Sequence, residues 1–370
     1  MIGDRLQIGI IGLGLWGARA HLPALLACEG VDVVALADSD AMRAKVVAEQ
    51  FGITQTFERA DDLLSGVDNL DAVIVATPTD THRDVVLAAC QRGVHILCEK
   101  PLAYDVAQAR EMVEALNAKQ LVGKLGFMFR FSPVIARMKQ LVDEGYVGQV
   151  QLIESLSLNA QFIDNQRPLH WKMRRARANG GVFVEYGSHS IDLAIWFAGP
   201  ISCVVAHGVT LIPERPAGDG GVSSVDVDDA ASWIAHHVGG TESLFRTGWS
   251  SLPIGGGGLR VYGSHGSLAW QLDPTTRRHE FLVGATVDRP DPATLFEFSP
   301  PFDAATDSGP FPLGLSARYN AGLIQSFVTD IRRGQATGPS FADGLAAQEV
   351  LAGIRTSLDE SRWVDVSGGC

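Results

Sequence analysis

The sequence predicts an α/β protein built from two domains of different construction. Over roughly the first 127 residues, short apolar strands alternate with helical stretches, a pattern typical of a parallel sheet covered by helices. Beyond about Gly145 this alternation ends and strand-like runs follow one another, which indicates a mostly antiparallel sheet. The chain has 370 residues, a length that accommodates two ordinary domains. We therefore assign residues 1–127 to the first domain and 128–370 to the second.

The first strand leads directly into a glycine-rich turn. It begins near Ile8, and the turn holds Gly12, Gly14 and Gly17 in a Gly-x-Gly-x-x-Gly spacing. The first glycine allows the tight turn, the second lets a pyrophosphate approach the backbone, and the third lets the next helix pack closely. That helix, about 18–28, offers its N-terminal N–H groups to phosphates. The pattern predicts a Rossmann dinucleotide-binding domain. Further contacts to the cofactor are expected from Leu13, Leu15 and Trp16.

The second strand, Val31–Ala37, ends at an acidic residue. Asp38 follows Gly17 by about 20 residues, the separation at which a carboxylate holds the ribose hydroxyls of NAD and repels a 2′-phosphate. Ser39 comes next, where NADP enzymes often offer an arginine, although Arg43 lies nearby. We predict NAD as the cofactor, with contacts from all three side chains, and keep NADP as an alternative.

Two later strands bring loops to the same edge of the sheet. A helix at about 41–51 and a polar stretch precede the apolar strand 71–76, and a helix at about 82–91 is closed by Gly93. The strand 94–98 follows, then a helix at 102–118 and a last strand at 120–127. Loops at the carboxyl ends of parallel strands are where open α/β sheets bind ligands. The predicted cofactor contacts here are Thr77, Pro78, Thr79, His82, Glu99 and Lys100.

The composition of the chain disfavours several classes of protein function. A net charge of −12 disfavours nucleic acid and anionic membranes as partners. No apolar run reaches membrane-spanning length and no signal peptide is recognisable, so we expect a cytoplasmic protein. The 5 cysteines are scattered, without a Cys-x-x-Cys pair, and we expect neither disulfides nor a structural metal. His236 and His237 fall on opposite faces of a predicted strand, which makes shared ligation improbable.

The second domain carries its chemistry in one segment. Gly180 and Gly181 break the chain, and the run at about 187–197 has helical character. Glu185, His189 and Asp192 are spaced by four and three residues, which places them on one helix face or its leading turn. A carboxylate one turn from a histidine can orient the ring and stabilise the imidazolium, as a general base requires. From spacing alone, a structural histidine is the alternative.

Other parts of the second domain are predicted in less detail. Strands are expected at 149–158, 201–211, 230–238, 243–251 and 260–271. The glycines 255–258 predict a flexible loop, and the proline-rich stretch Arg289–Pro312 a long irregular one. Terminal helices are predicted at 315–333 and 343–358, and they can pack back on the first domain.

Short motifs extend over nearly the whole chain. They are Gly12-Leu-Gly-Leu-Trp-Gly17, Ala76-Thr-Pro-Thr-Asp-Thr-His82, Glu99-Lys-Pro101, Phe129-Arg-Phe-Ser-Pro133, the segment Gly180–Asp192, the run Leu259–Leu268 and Phe341-Ala-Asp-Gly-Leu345. In order and spacing they resemble the family of glucose–fructose oxidoreductases, inositol dehydrogenases and MocA-like proteins. The resemblance implies a large open sheet in the second domain and a homodimer or homotetramer. It also implies an NAD(P)-dependent dehydrogenase or reductase acting on a secondary alcohol of a sugar, inositol or related polyol.

The resemblance also implies a catalytic group of Lys100, Glu185 and His189. His189 would take the proton of a substrate hydroxyl as hydride leaves its carbon, and Lys100 would stabilise the developing alkoxide. Relatives usually carry aspartate at the position of Glu185, and Asp192 is then an alternative orienting residue or acceptor for a substrate hydroxyl.

Further site residues are expected from the same resemblance. Arg130 matches an arginine of a polar motif, whereas Met128 replaces an asparagine that many relatives place near the cofactor. Trp171 and Lys172 resemble a Trp-Arg pair at the nicotinamide end, and Tyr319 resembles a tyrosine there. The predicted substrate contacts are Lys100, Arg130, His170, Trp171, Glu185, His189 and Asp192. From its charge, the basic run 170–177 either selects an anionic substrate or is a solvated loop or an oligomer contact.

Two alternatives to a sugar dehydrogenase are left open by the sequence. The same fold can act on a dihydrodiol or a tetrapyrrole, which an aromatic-lined site would favour. A non-catalytic sensor of dinucleotide and sugar is the second alternative. The presence of both Lys100 and His189 argues against it, because a sensor needs no acid–base pair.

Overall fold

A computed structural model describes residues 5–218, 220–252, 257–273, 278–301, 303 and 313–366. The chain divides into two compact units. The first unit comprises Met1–Phe131 and Asp303–Leu345, and the second comprises Ser132–Phe302 and Ala346–Cys370. Each unit has its own main sheet. Within the described ranges, no helix is both long and apolar enough to cross a membrane.

The sheet of the first unit is parallel. Its described strands are β1 (Leu6–Ile11), β2 (Val31–Ala37), β3 (Gln55–Phe57), β4 (Ala72–Val75), β5 (His95–Cys98) and β6 (Gly123–Leu125). They lie in the order β3-β2-β1-β4-β5-β6, and every pairing is parallel. The order reverses between β1 and β4, the switch point at which doubly wound sheets bind ligands. The Rossmann prediction is confirmed.

Helices connect these strands as a doubly wound fold requires. A π-helical turn, Gly17–His21, opens the first helix, which continues as α1 (Leu22–Leu26). The others before residue 131 are α2 (Ala41–Phe51), α3 (Ala60–Gly66), α4 (His82–Arg92) and α5 (Val106–Ala118). The polar stretch before β4 is therefore not irregular, since β3 and α3 lie there. The predicted helix at 102–118 begins late because the Asp105 side chain accepts from the Gln108 N–H at 2.8 Å and caps it.

The main sheet of the second unit is mixed. In the described ranges, its strands are β7 (Val150–Leu158), β8 (Ile201–Val209), β11 (Ala230–His237), β12 (Glu242–Gly248), β13 (Gly258–Gly263), β14 (Gly266–Leu272), β15 (Glu280–Thr286), β16 (Arg289–Phe298) and β17 (Val364–Asp365). Their order is β16-β15-β14-β13-β7-β12-β11-β8-β17, and only β7 and β12 pair in parallel. A separate small ladder joins β9 (Glu214–Pro216) and β10 (Val222–Ser224). The predicted large, mostly antiparallel sheet is confirmed.

Two strand predictions in this sheet were wrong. The run 260–271 is a hairpin of β13 and β14 and not one strand. The stretch Arg289–Pro312 was expected to be irregular, yet its first ten residues form β16. β16 is an edge strand and its pairing with β15 shifts register near Pro290 and Pro292, so prolines that lack an N–H are tolerated there. Residues 302 and 304–312 of that stretch lie outside the described residues, as do 255 and 256 of the predicted glycine loop and Cys370.

Helices pack against the second sheet. Contacts to its strands are made by α6 (Pro133–Asp143), α8 (Val182–Glu185) and α9 (Gly187–Ala198), and the short α7 (Arg175–Ala178) precedes α8 in the chain. A Cβ at Gly187 would lie 2.7 Å from the ring of Trp233 on β11, so the glycine lets α9 begin directly against the sheet. The two terminal helices are α10 (Leu315–Arg333) and α11 (Phe341–Glu360), and α10 contacts the π-helical turn and α1 of the first unit.

Candidate active site

The glycine turn after β1 has the shape that a dinucleotide requires. Gly12 has φ +94°, and a Cβ there would lie 2.6 Å from the backbone of Ala76. A Cβ at Gly17 would lie 1.9 Å from the carbonyl oxygen of Gly12. At Gly14, by contrast, a Cβ would meet no atom within 4 Å. Two glycines are therefore fixed by the fold, and the third leaves the backbone open to a pyrophosphate.

Asp38 fastens this turn to the end of β2. Its buried carboxylate accepts hydrogen bonds from the Leu13 N–H at 2.7 Å and the Asp40 N–H at 2.9 Å. The guanidinium of Arg43 lies 3.1 and 3.2 Å from its two oxygens. Leu15 and Ser39 are exposed and Trp16 is half-buried beside this edge. The carboxylate that suits ribose hydroxyls and the guanidinium that suits a 2′-phosphate are thus neighbours.

His82 ties together the loops that follow β4 and β5. Its Nε2 lies 2.9 Å from the carbonyl oxygen of Thr77, and its Nδ1 lies 3.1 and 3.3 Å from those of Pro101 and Leu102. The ring is buried, and this burial lowers the pKa of His82. His82 therefore holds these two loops together. Thr79 is buried and Pro78 half-buried in the first of these loops.

The sequence did not reveal the buried partner of Glu99, the residue before Lys100. His21, in the π-helical turn, is fully buried and places its Nε2 2.9 Å from Oε1 of Glu99. The two residues are 78 positions apart in the sequence, so no local sequence pattern predicts that they pair. A sequence feature that could have indicated His21 is its position one helical turn after Gly17, the last glycine of the glycine-rich turn.

In the second unit, the predicted acid and histidine lie on two consecutive helical segments. Asp228 accepts from the N–H groups of Gly181 and Phe183 at 3.0 and 3.1 Å, which anchors α8. Glu185 ends α8, and His189 and Asp192 lie buried one turn apart on α9. The structure thus places His189 and Asp192 on one helix and Glu185 just before it, as their spacing in the sequence predicts.

Glu185 is paired with Lys172. Its Oε1 lies 2.5 Å from the lysine Nζ, and both side chains are mostly buried. Next to them, the Tyr186 hydroxyl donates to Oε1 of Gln161 at 2.5 Å. The side chain of glutamate, longer than the aspartate usual in the family, reaches an ion-pair partner that the sequence did not reveal. This segment is rich in polar groups that can bind hydroxyls.

His170 and Trp171 lie next to that ion pair. Their ring centroids are 5.6 Å apart, and the Lys172 N–H donates to Nδ1 of His170 at 3.3 Å. Burial, with a contribution from the Lys172 charge, lowers the pKa of His170 to about 4. His170 is therefore neutral near pH 7. The arginines of the basic run, at 174, 175 and 177, are exposed.

The remaining predicted residues belong to the first unit. Arg130 donates to Oδ1 of Asp343 at 2.9 Å and is nearly buried, so its charge is already balanced. Tyr319, on α10, is buried with its ring centroid 5.8 Å from that of Phe129. Met128 is buried too. No grouping of three or more potential metal ligands occurs in the described ranges.

Comparison with known proteins decides the family. Residues 6–127 match the model of an oxidoreductase family with an NAD-binding Rossmann fold, and residues 135–269 match the GFO/IDH/MocA C-terminal domain. The chain belongs to the GFO/IDH/MocA family of oxidoreductases. The resemblance inferred from the motifs is confirmed. So is the choice of NAD, because the first domain of this GFO/IDH/MocA protein is an NAD-binding domain.

Relatives are similar along their whole length. Levoglucosan dehydrogenase of Pseudarthrobacter phenanthrenivorans is 28% identical, with 98% of each chain covered. Inositol 2-dehydrogenase of Rhizobium meliloti is 24% identical, covering 98% of this chain and 99% of the relative. A structure of levoglucosan dehydrogenase in complex with NADH superposes with a TM-score of 0.87 at 26% identity, over 98% of this chain and 99% of the other. An oxidoreductase domain protein from Kribbella flavida gives 0.87 at 28% identity, over 99% and 100%.

Buried histidines should make this GFO/IDH/MocA protein sensitive to acid. Among the described residues, burial lowers the pKa of His82, His95, His170 and His237. An unfolded histidine titrates near pH 6.5, so the stability gained by burying a neutral ring is fully present above that pH. For His170 it is lost as the pH falls from about 6.5 to about 4. We expect the free energy of unfolding to fall in this range, by at most about 1.4 kcal/mol per pH unit for each such histidine.

Urea denaturation at pH 7.5, 5.5 and 4.5 measures this effect. His170→Asn should flatten the dependence on pH, and the exposed His236→Asn serves as the control for loss of a histidine. An unchanged slope in His170→Asn would contradict the assignment.

Proposed function

We propose that the chain is an NAD-dependent dehydrogenase that acts on a secondary alcohol of a sugar, an inositol or a related polyol. The observation that carries the proposal is the segment around His189. Within four residues of that histidine along the chain lie Glu185, Tyr186 and Asp192, and the first two are hydrogen-bonded to Lys172 and Gln161. Closely spaced carboxylate, amide, ammonium and phenol groups suit a ligand with several hydroxyls. The names of the relatives, levoglucosan dehydrogenase and inositol 2-dehydrogenase, support the same class.

In this proposal the cofactor is held by the glycine turn and the loops beside it. The backbone from Gly12 to Gly17 would bind the pyrophosphate, and Asp38 would accept hydrogen bonds from the ribose hydroxyls. The loops Thr77–Thr79 and Glu99–Lys100 follow the strands next to the switch point. Bound NAD would supply the hydride acceptor for oxidation, and its reduced form would supply the hydride for reduction.

The chain's own residues handle the proton and the developing charge. His189 takes the proton of the substrate hydroxyl through its imidazole, and returns it in the reducing direction. The ammonium of Lys100 donates a hydrogen bond to the same oxygen and stabilises it as it becomes alkoxide-like. The Glu185 and Lys172 pair, together with Asp192, binds the hydroxyls that do not react and fixes which carbon is presented. His170 is neutral near pH 7 and its Nδ1 already accepts from the Lys172 N–H, so its Nε2–H can donate one further bond.

A spectroscopic panel tests this function. Levoglucosan, inositols, aldoses, uronic acids and deoxy sugars are each offered with NAD or NADP, and absorbance at the nicotinamide band is followed. We expect turnover with at least one polyol and a higher kcat/KM with NAD than with NADP. If NADH binds, as seen by its fluorescence, and no alcohol on the panel is oxidised, the sensor alternative replaces the dehydrogenase. Turnover restricted to uronic acids would instead support a role for the basic run 170–177.

Assembly is a separate part of the proposal. The open sheet of the second unit ends at β16, whose residues are exposed over most of its length. An exposed edge next to a broad sheet favours self-association. We therefore expect a homodimer or homotetramer in light scattering, and a monomer at micromolar concentration would contradict it.

A further inference from the structure

A buried hydrogen bond joins the glycine turn to the segment that carries Lys100. His21 belongs to the π-helical turn that begins at Gly17, and Glu99 follows directly after β5. The ring Nε2 of His21 donates to Oε1 of Glu99 at 2.9 Å, and the His21 side chain has no exposed surface. A carboxylate this deep in a protein requires hydrogen-bond donors, because leaving it unpaired is costly.

The second oxygen of the same carboxylate reaches Lys100. Oε2 accepts a hydrogen bond from the Lys100 backbone N–H at 3.2 Å. A Cβ at Gly126 would lie 3.0 Å from the carboxyl carbon and from each of its oxygens, so Gly126 is what leaves room for the group. The Gly126 N–H in turn donates to the carbonyl of Cys98 at 2.8 Å. The carboxylate is thus confined to one position, in which it is hydrogen-bonded to the backbone of Lys100 just after the end of β5.

His82 holds the other end of this segment in a different manner. Its hydrogen-bond partners in the described part of the chain are the backbone carbonyls of Thr77, Pro101 and Leu102. His21 instead meets a side chain that itself bonds the Lys100 amide. Removal of the His21 donor would leave Glu99 buried with a missing partner, and the carboxylate would have to move. Such a movement would carry the Lys100 backbone with it.

We propose that His21 is a positioning residue for Lys100 and acts through the carboxylate of Glu99. The proposal rests on the proposed function, because it takes Lys100 to be the group that stabilises the substrate oxygen. A displacement of about 1 Å at such a group can cost on the order of 100-fold in rate. Binding of the dinucleotide depends on the backbone of the glycine turn, and is expected to change little.

Paired amide substitutions separate positioning from simple packing. In His21→Gln the amide nitrogen lies near the place of the histidine Nε2, so it can donate to Glu99. In His21→Asn the nitrogen is closer to the place of Nδ1 and falls short. We expect His21→Asn to lose kcat by roughly 10- to 100-fold, with the NADH dissociation constant within about threefold, and His21→Gln to recover most of the loss. His95→Asn, at the other end of β5, is the matched control, since its ring accepts from the Val122 N–H at 2.9 Å.

A magnetic resonance measurement that needs no substrate tests the same proposal. Reductive methylation with ¹³C-formaldehyde labels the lysine amines, and Lys100→Arg identifies the Lys100 resonance. That resonance should move in His21→Asn, return in His21→Gln and stay in place in His95→Asn. Equal resonances or equal kcat values in the two His21 variants would overturn the proposal. If the wild type oxidises no alcohol, the proposed function fails, but the resonance still tests the effect of His21 on Lys100.

Discussion

Replacing Lys100 with alanine should lower kcat by about 100- to 1,000-fold, the usual loss when one donor to a developing oxyanion is removed. Lys100 follows β5 at the carboxyl edge of the parallel sheet, and both ends of its segment are held by buried histidines. A lysine fixed in this way can direct its ammonium to the substrate oxygen without a large entropy loss. Steady-state kinetics with the polyol identified by the panel measures the effect.

The control must show that the effect is local. Lys119→Ala removes an exposed lysine at the end of α5 and should leave kcat unchanged. The affinity of Lys100→Ala for NADH, measured by fluorescence, should stay within a few fold, because the glycine turn and Asp38 are intact. A rate loss below tenfold, or a loss of NADH binding that accounts for the whole change, would show that Lys100 does not stabilise the substrate oxygen.

The first half of the fold was predictable because its signals are local. β2 and α2 lie where the sequence places them. A strand buried within a parallel sheet is a nearly continuous apolar run, and Asp32 is the one charged residue within β2. Glycine also marks helix ends, as at Gly93, which has φ +82° and closes α4. The edge of the sheet that carries the predicted cofactor loops was predictable for the same reason, because the carboxyl ends of parallel strands lie on one side.

The errors have a physical explanation as well. β16 was missed because two prolines normally exclude a strand, and only its place at the sheet edge makes them tolerable. β3 is three residues long and mostly exposed, so it carries no apolar pattern. The hairpin of β13 and β14 was taken as one strand because its turn, at Ser264 and His265, interrupts the hydrophobic pattern only briefly.

The candidate site also has features that the local sequence predicts and features that depend on residues distant in the sequence. His189 and Asp192 were found by helical spacing, which depends on the chain near them. Pairs such as Glu185 with Lys172, or Glu99 with His21, join residues from different elements. Sequence spacing gives no reason to connect them, so the ion-pair partner of Glu185 and the support of Glu99 required the structure.

Replacing His189 with asparagine should lower kcat by about 100- to 10,000-fold, the range for loss of a positioned general base. Asparagine keeps a buried polar group at the start of α9, so the helix should survive, and an unchanged melting temperature would show this. His207→Asn, at an exposed position on β8, is the control for loss of a histidine in the same unit. A fully active His189→Asn variant would show that His189 has a structural role and is not the general base.

The double variant of Lys100→Ala and His189→Asn tests whether both residues act on one hydroxyl group. Residues that serve a single transition state are strongly non-additive, because loss of either already removes most of what the pair provides. We therefore expect the double variant to fall within about tenfold of the slower single variant. If the two losses multiply in full, the residues act independently, and the proposal that both act on one hydroxyl group is wrong. Kinetics of the four proteins on one substrate decides between these outcomes.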